Sequence, residues 1–239
     1  MFHKVFSFLK IQCQNKNNRN GNIKTAVEFK YLTKEKKSKK IKEIFSNIPR
    51  LETRRLILRR IEEKDCEDMF AYASDLEVTK YLTWLPHVNM GETKEYLSNL
   101  QKRYESGKFF DWGLIYKENG RLIGTCGFTS ININNNTCEV GYVLAKKYWG
   151  MGLMPEALDC VMDFAFGYFG FDKIEARFID GNLNSKKVMQ KVGMTYEKTD
   201  NNAFNIKGEN KTVYTYSITG EDFKARKNAV NKILLNKIN

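Results

Sequence analysis

The chain has two histidines, three prolines and five cysteines in 239 residues, and each scarcity removes a class of answer. With His3 and His87 alone, a histidine-based metal centre is excluded, and no metal is expected. Cys13, Cys66, Cys126, Cys138 and Cys160 are odd in number and never spaced Cys-x-x-Cys, which argues against a disulfide framework and a zinc site. An apolar run of about 18 residues, long enough to cross a bilayer, is lacking, so no membrane contact is expected. The opening Met1–Lys10 has too short an apolar run for a secretory signal, and a cytoplasmic location is expected. A hydrophobic content of 42% with 13% aromatics is ample for a packed core.

The net charge of +12 suggests a nucleic-acid partner until its position is read. Residues 1–50 carry 13 Lys/Arg against 3 Asp/Glu, residues 51–220 carry 22 against 23, and residues 221–239 carry 5 against 2. The basicity lies at the two ends, and the body between them is near neutral. Residues 1–48, rich in Lys, Asn and Gln, read as a basic, mostly flexible arm with one helical turn near Ile41 to Phe45. Such an arm is either a solvated tail or a contact for RNA or the ribosome. Residues 221–239 read as a basic tail, and the body spans 49–220.

Within the body, Arg55 to Ile61 alternates as a strand, and a helix runs over Met69, Phe70 and Ala73. An aromatic loop at 76–91 precedes a helix over Glu92 to Ser106. Strands at Trp112 to Tyr116, Leu122 to Thr129 and Thr137 to Leu144 are joined by Asn/Gly turns. A helix over Pro155 to Phe169, a strand at Lys173 to Ile179 and a helix over Val188 to Val192 follow. Residues 194–199 and 211–218 read as a closing hairpin around a polar loop at Asp200 to Asn210.

The joint at Lys146 to Ala157, Lys-Lys-Tyr-Trp-Gly-Met-Gly-Leu-Met-Pro-Glu-Ala, is the predicted anion site. Two glycines let backbone approach a ligand, and the N–H groups and dipole of a starting helix favour a phosphate. A Walker loop would need Gly-Lys-Ser/Thr where Gly152 is followed by Leu153, and the dinucleotide fingerprint would need a small residue at Pro155; neither fits.

Three stretches resemble one family in the expected order. Lys147 to Gly152 reads as basic/polar-x-x-Gly-x-Gly, Leu51-Glu-Thr-Arg-Arg-Leu-Ile-Leu-Arg as Leu-x-Thr-x-Arg-Leu-x-Leu-Arg, and Asn182 to Gly193 as Asn-x-x-Ser-x-x-Val-x-x-Lys-x-Gly. Together they resemble the GNAT family of acetyl-CoA-dependent N-acetyltransferases, in its RimJ/RimL-like branch, which contains ribosomal-protein N-terminal acetyltransferases. The resemblance implies an α/β (α+β) fold with a mixed, mostly antiparallel sheet of about seven strands flanked by helices. Its fourth and fifth strands, here Glu139 to Leu144 and Lys173 to Ile179, would splay apart to admit acetyl-CoA.

By the same resemblance the cofactor would contact Val143, Leu144, Lys147, Gly150, Met151, Gly152, Leu153, Met154 and Asn182. Lys147 stands where Arg or Gln is usual and Met151 where Lys is frequent, so one cation is lost while the backbone donors remain. Ser185 is the candidate for protonating the leaving thiolate, although Asn182, Asn184 and Ser185 are also helix-capping residue types. Glu139 is the candidate base, with Tyr142 and Tyr196 as alternatives, and Trp84 and Tyr142 are candidate acceptor contacts. The implied reaction moves acetyl from acetyl-CoA to a primary amine by direct attack, the expected amine being a ribosomal-protein-like N-terminus; the alternatives are a small-molecule amine, or a non-catalytic CoA-binding or RNA-associated module. A closed aromatic pocket around Trp84 would favour the small molecule and an open groove the peptide. A monomer or homodimer is expected.

Overall fold

The structure, a computed structural model, describes residues 11–12, 29 and 31–235. Its centre is one mixed sheet. The strands are β1 (Ile11–Gln12), β2 (Leu51–Glu52), β3 (Leu56–Arg59), β4 (Asp111–Tyr116), β5 (Leu122–Asn132), β6 (Thr137–Leu144), β7 (Lys173–Ile179), β8 (Thr195–Ile206) and β9 (Glu209–Thr219). They lie in the order β1-β2-β3-β4-β5-β6-β7-β9-β8. The pairings β1/β2 and β6/β7 are parallel and the rest antiparallel, so the expected mixed, mostly antiparallel sheet is observed, with two short strands added at one edge.

Side-chain alternation builds a core on each face. Leu56 and Leu58 of β3 join a cluster covered by helix α5 (Leu153–Phe164), while Ile57 between them packs against a second cluster under α2 (Cys66–Ala73) and α4 (Met90–Glu105). Between α2 and α4, the predicted aromatic loop begins with a short helix, α3 (Leu76–Thr79). After α5 a π-helical turn at Ala165–Phe169 ends at Gly170, whose φ of 61° reverses the chain into β7. Cys66, Cys126 and Cys138 are buried free thiols.

Three expectations change. The single turn foreseen near Ile41 to Phe45 is a 13-residue helix, α1 (Lys34–Ser46), capped by Thr33. Lys34, Glu35, Lys36 and Lys39 are exposed, while Lys37, Ile41 and Phe45 are buried; the Phe45 ring meets Phe110, Trp112, Phe128 and Phe169 at centroid distances of 4.8–5.9 Å. Core packing therefore begins before residue 49; the part of the expected arm at 1–10 and 13–28 lies outside the described residues. The expected C-terminal tail begins as a helix, α7 (Gly220–Leu235), which buries Phe223 and sets Arg226 and Lys227 against Asp159 of α5, with Lys227 also 2.6 Å from Asp163. The polar loop at Asp200 to Asn210 is strand on both sides of a tight turn, because Lys207 and Gly208, with φ of 54° and 86°, reverse the chain in two residues.

Candidate active site

The site forms where β6 and β7 part. They pair in parallel from Thr137 with Lys173 to Val140 with Ala176, and beyond that register no ladder joins them, which opens the expected splay. Tyr142 bridges the gap. Its hydroxyl lies 2.9 Å from Ser185 Oγ and donates to the Ser185 carbonyl at 3.1 Å, tying β6 to α6 (Leu183–Lys191). Burial pushes the Tyr142 phenol well above its ordinary range, against the opposing pull of the Ser185 hydrogen bond, so it remains a neutral donor.

Asn182 caps α6, its Oδ1 accepting from the Ser185 N–H at 3.1 Å. The capping alternative is therefore realised for Asn182, and the Ser185 hydroxyl is left to Tyr142. Both residues still face the open space of the splay.

That space consists of two cavities that share a boundary at Tyr142, Val143, Asn182 and Ser185. The first, of about 470 Å³, runs to the glycine loop and is lined by Leu144, Gly150, Gly152, Leu153 and Met154. Gly150 and Gly152 have φ of 77° and 72°, the left-handed backbone that glycine adopts freely. Gly152 is the N-cap of α5 and offers no side chain to the first-turn N–H groups, which lack intrahelical acceptors. This cradle of free donors at a helix start suits a pyrophosphate. Lys187 and Lys191, one turn apart on α6, add two cations to the same cavity. Sequence reading missed them, although their spacing with Val188 was a usable signal.

Of the other predicted cofactor contacts, Lys147 and Met151 line neither cavity. Lys147 is exposed with Nζ over the Tyr148 ring, and Met151 contributes through its carbonyl, which accepts from Arg55 at 2.9 Å. Arg55 also holds Glu156 of α5 at 2.7 Å through Nε and at 2.8 Å through its backbone N–H, while Thr53 donates to the same carboxylate at 2.6 Å. The Thr53 and Arg55 positions of the Leu51 motif thus clamp the glycine loop. Burial pushes Glu156 up, yet these hydrogen bonds bring it below its ordinary value.

The second cavity, of about 460 Å³, lies on the α2/α4 face and is walled by Tyr72, Trp84, His87 and Tyr96. Trp84, a candidate acceptor contact in the sequence, is one of these walls. Glu139 lines this cavity too, its carboxylate 2.7 Å from the Arg177 guanidinium. His87 Nδ1 lies 2.7 Å from Thr93 Oγ1, and burial lowers its pKa, so the ring is neutral. Tyr196 is 56% exposed, hydrogen-bonds Thr199 and lines neither cavity. Sequence reading missed Asp111, which lies on the cavity floor.

Residues 55–195 match the profile of the acetyltransferase (GNAT) domain. The chain is 30% identical over 173 residues to the Bacillus licheniformis protein described as uncharacterized N-acetyltransferase p20, covering 72% of this chain and 97% of that protein. It is 26% identical over 161 residues to the ribosomal protein uS5-alanine N-acetyltransferase of Escherichia coli K12, covering 64% and 82% of the two chains. The solved structure of a GNAT-family acetyltransferase from Bacillus anthracis superimposes with a TM-score of 0.64 at 26% identity, over 72% of this chain and 99% of that one. With a domain match across more than half its length and a splayed sheet beside a glycine-cradled helix start, the chain belongs to the GNAT family and is an acetyl-CoA-dependent acetyltransferase.

Proposed function

We propose that this acetyltransferase acts on a small primary amine that enters the aromatic-walled cavity. The observation that carries this reading is the shared boundary of the two cavities at Tyr142, Val143, Asn182 and Ser185, which brings an acceptor pocket of about 460 Å³ against the cofactor groove. That volume is typical of small-ligand sites. Acetyl-CoA supplies the activated acyl group.

The chain's own residues supply positioning and proton transfer. Backbone along Val143 and Leu144, unpaired toward β7, is the edge along which pantetheine would lie, and a backbone N–H there would steady the developing oxyanion. The glycine loop with Lys187 and Lys191 would hold the phosphates. Glu139, kept close to Arg177, is the group that would take a proton from the amine through a water. The Tyr142 and Ser185 hydroxyls, already hydrogen-bonded to each other, would pass a proton to the leaving thiolate.

A second reading, in which the acceptor is a protein N-terminus, is supported by the name of the Escherichia coli relative. The deciding experiment is acetyl-CoA-dependent thiol release with a panel of small amines and of Ala-starting and Ser-starting peptides. Turnover confined to small amines supports the first reading; turnover confined to peptides replaces it with the second. If CoA binds and no amine is acetylated, both fail.

A further inference from the structure

Asp111 opens β4 at the floor of the acceptor cavity, and its Oδ1 is buried with no hydrogen-bond partner among the described residues. The cavity's other acid, Glu139, is matched by Arg177, whereas among the described residues no ion pair reaches Asp111. Arg103 acts on it through space, but that guanidinium sits 4.7 Å from the Phe109 ring centroid and makes no hydrogen bond to the carboxylate. A buried carboxylate oxygen without a partner is costly, and a cation brought to this half-buried side chain by a ligand would relieve that cost.

The sheet surface between this carboxylate and the splay carries glycine at two successive pairings, with the Thr129 methyl reaching over the second. Asp111 pairs with Gly127, and Gly127 pairs with Gly141, which stands one residue past the last β6/β7 rung. A Cβ at Gly127 would collide with Asp111 Oδ1, so the carboxyl lies over that glycine. From there to Gly141 is one strand spacing, about 5 Å. Tyr72, Trp84 and Tyr96 wall the space above, and aromatic faces attract cations.

We propose that the acceptor is a short diamine or polyamine, whose reacting amine lies at the splay while a second nitrogen, as ammonium, is held by Asp111 and the surrounding rings. This deepens the small-amine reading and rests on it. Two nitrogens separated by roughly 5–7 Å, one to one and a half strand spacings, fit the floor, which corresponds to three to five methylenes by ordinary bond lengths, about 1.2–1.3 Å of advance per bond along an extended chain.

The grip is pH-dependent. Burial, partly opposed by Arg103, pushes the Asp111 carboxyl up to about 7. Tyr72 from α2, Tyr96, Arg103 and Tyr104 from α4, and Cys126 from β5 interact with it electrostatically, and the Glu139–Arg177 pair and His87, which burial keeps neutral near pH 7, line the same cavity. The phenols and the thiol are all raised by burial and stay neutral near pH 7, so Asp111 is the one of this set that changes charge there. Protonation below about 7 discharges the site, and the KM for a diamine rises as the pH falls.

The test uses the full chain with acetyl-CoA and compares butylamine with 1,3-diaminopropane, 1,4-diaminobutane and 1,5-diaminopentane, for wild type and Asp111→Asn. The expected result is a KM for the best diamine at least tenfold below that of butylamine, with similar kcat, and a tenfold or greater rise in that KM in Asp111→Asn. Asn removes an unpartnered charge at constant shape, so melting is expected at or above the wild-type temperature. If it does not fold, Tyr96→Leu, which strips one ring from the wall, must raise the diamine KM alone. Equal KM values for butylamine and the diamines, or an unchanged diamine KM in Asp111→Asn, overturn the inference while leaving small-amine transfer standing. Calorimetry of 1,4-diaminobutane with the CoA-loaded protein separates the two ideas if nothing is turned over: binding lost in Asp111→Asn supports the second-nitrogen site, and no binding to wild type overturns it.

Discussion

Arg55 and Glu156 join the start of the sheet to the first turn of α5, with contacts at 2.7 Å and 2.8 Å from one residue to one carboxylate. Because Arg55 also holds the Met151 carbonyl, this pair sets the shape of the glycine loop from behind. Glu156→Ala leaves the Thr53 and Arg55 donors without their acceptor. The expected cost is about 1–3 kcal/mol of stability, together with weaker CoA binding, read by thermal melting and calorimetry. Glu156 titrates below its ordinary value of 4.5, so the wild-type contribution is whole above that pH and is lost as the pH falls through the lower, folded value. The melting difference between wild type and Glu156→Ala should shrink in acid.

Gly150→Ala places a side chain where φ is 77° and where a Cβ would meet nothing within 4 Å. The effect is therefore backbone strain rather than collision, about 1–2 kcal/mol. Part of it should appear as a rise of several-fold in the CoA dissociation constant, measured by calorimetry.

Tyr142→Phe and Ser185→Ala each remove one end of the same hydrogen bond. Each should lower kcat by about 10²-fold or more, within the range for acid–base groups, while CoA still binds. The double variant should lose little more than either single one, since the two act as a unit. The raised Tyr142 phenol stays protonated beyond its ordinary value of 10, so no alkaline limb below pH 10 should arise from it.

Phe45→Ala empties a fully buried position at the meeting of four other rings. Chemical denaturation should show a loss of about 3–5 kcal/mol. Removal of residues 1–48 should destabilise the body in the same way, because Ile41 and Phe45 leave with it.

Where local pattern and tertiary packing agree, the elements were legible. β6 and β7 coincide with the stretches read as Thr137 to Leu144 and Lys173 to Ile179, and α5 starts beside Met154 as the glycines and Pro155 indicated. The terminal helices were not legible, because α1 and α7 are charged on most faces and a few apolar residues, Ile41, Phe45 and Phe223, decide their docking. Their partners are remote in sequence: Phe45 meets the rings of Phe110, Trp112, Phe128 and Phe169, and Phe223 packs on Phe166. Asp111 was hidden for the same reason: in the sequence it is an acid before a strand, and its burial comes from α2 and α4 crossing above it. Ser185, Glu139 and Trp84 were singled out through motif and resemblance and all three line the cavity, but the Tyr142–Ser185 bond depends on the crossing of β6 and α6.

The four rungs that join β6 to β7 make the sheet two plates sewn by a short seam, with strands β1 to β6 on one side and β7 to β9 on the other. Past Val140 the Tyr142–Ser185 tie crosses the gap. A ligand laid along the open edge continues the stitching as a borrowed strand, so its grip stiffens the whole sheet. Departure of the thiol product would reopen the seam for the next acetyl-CoA.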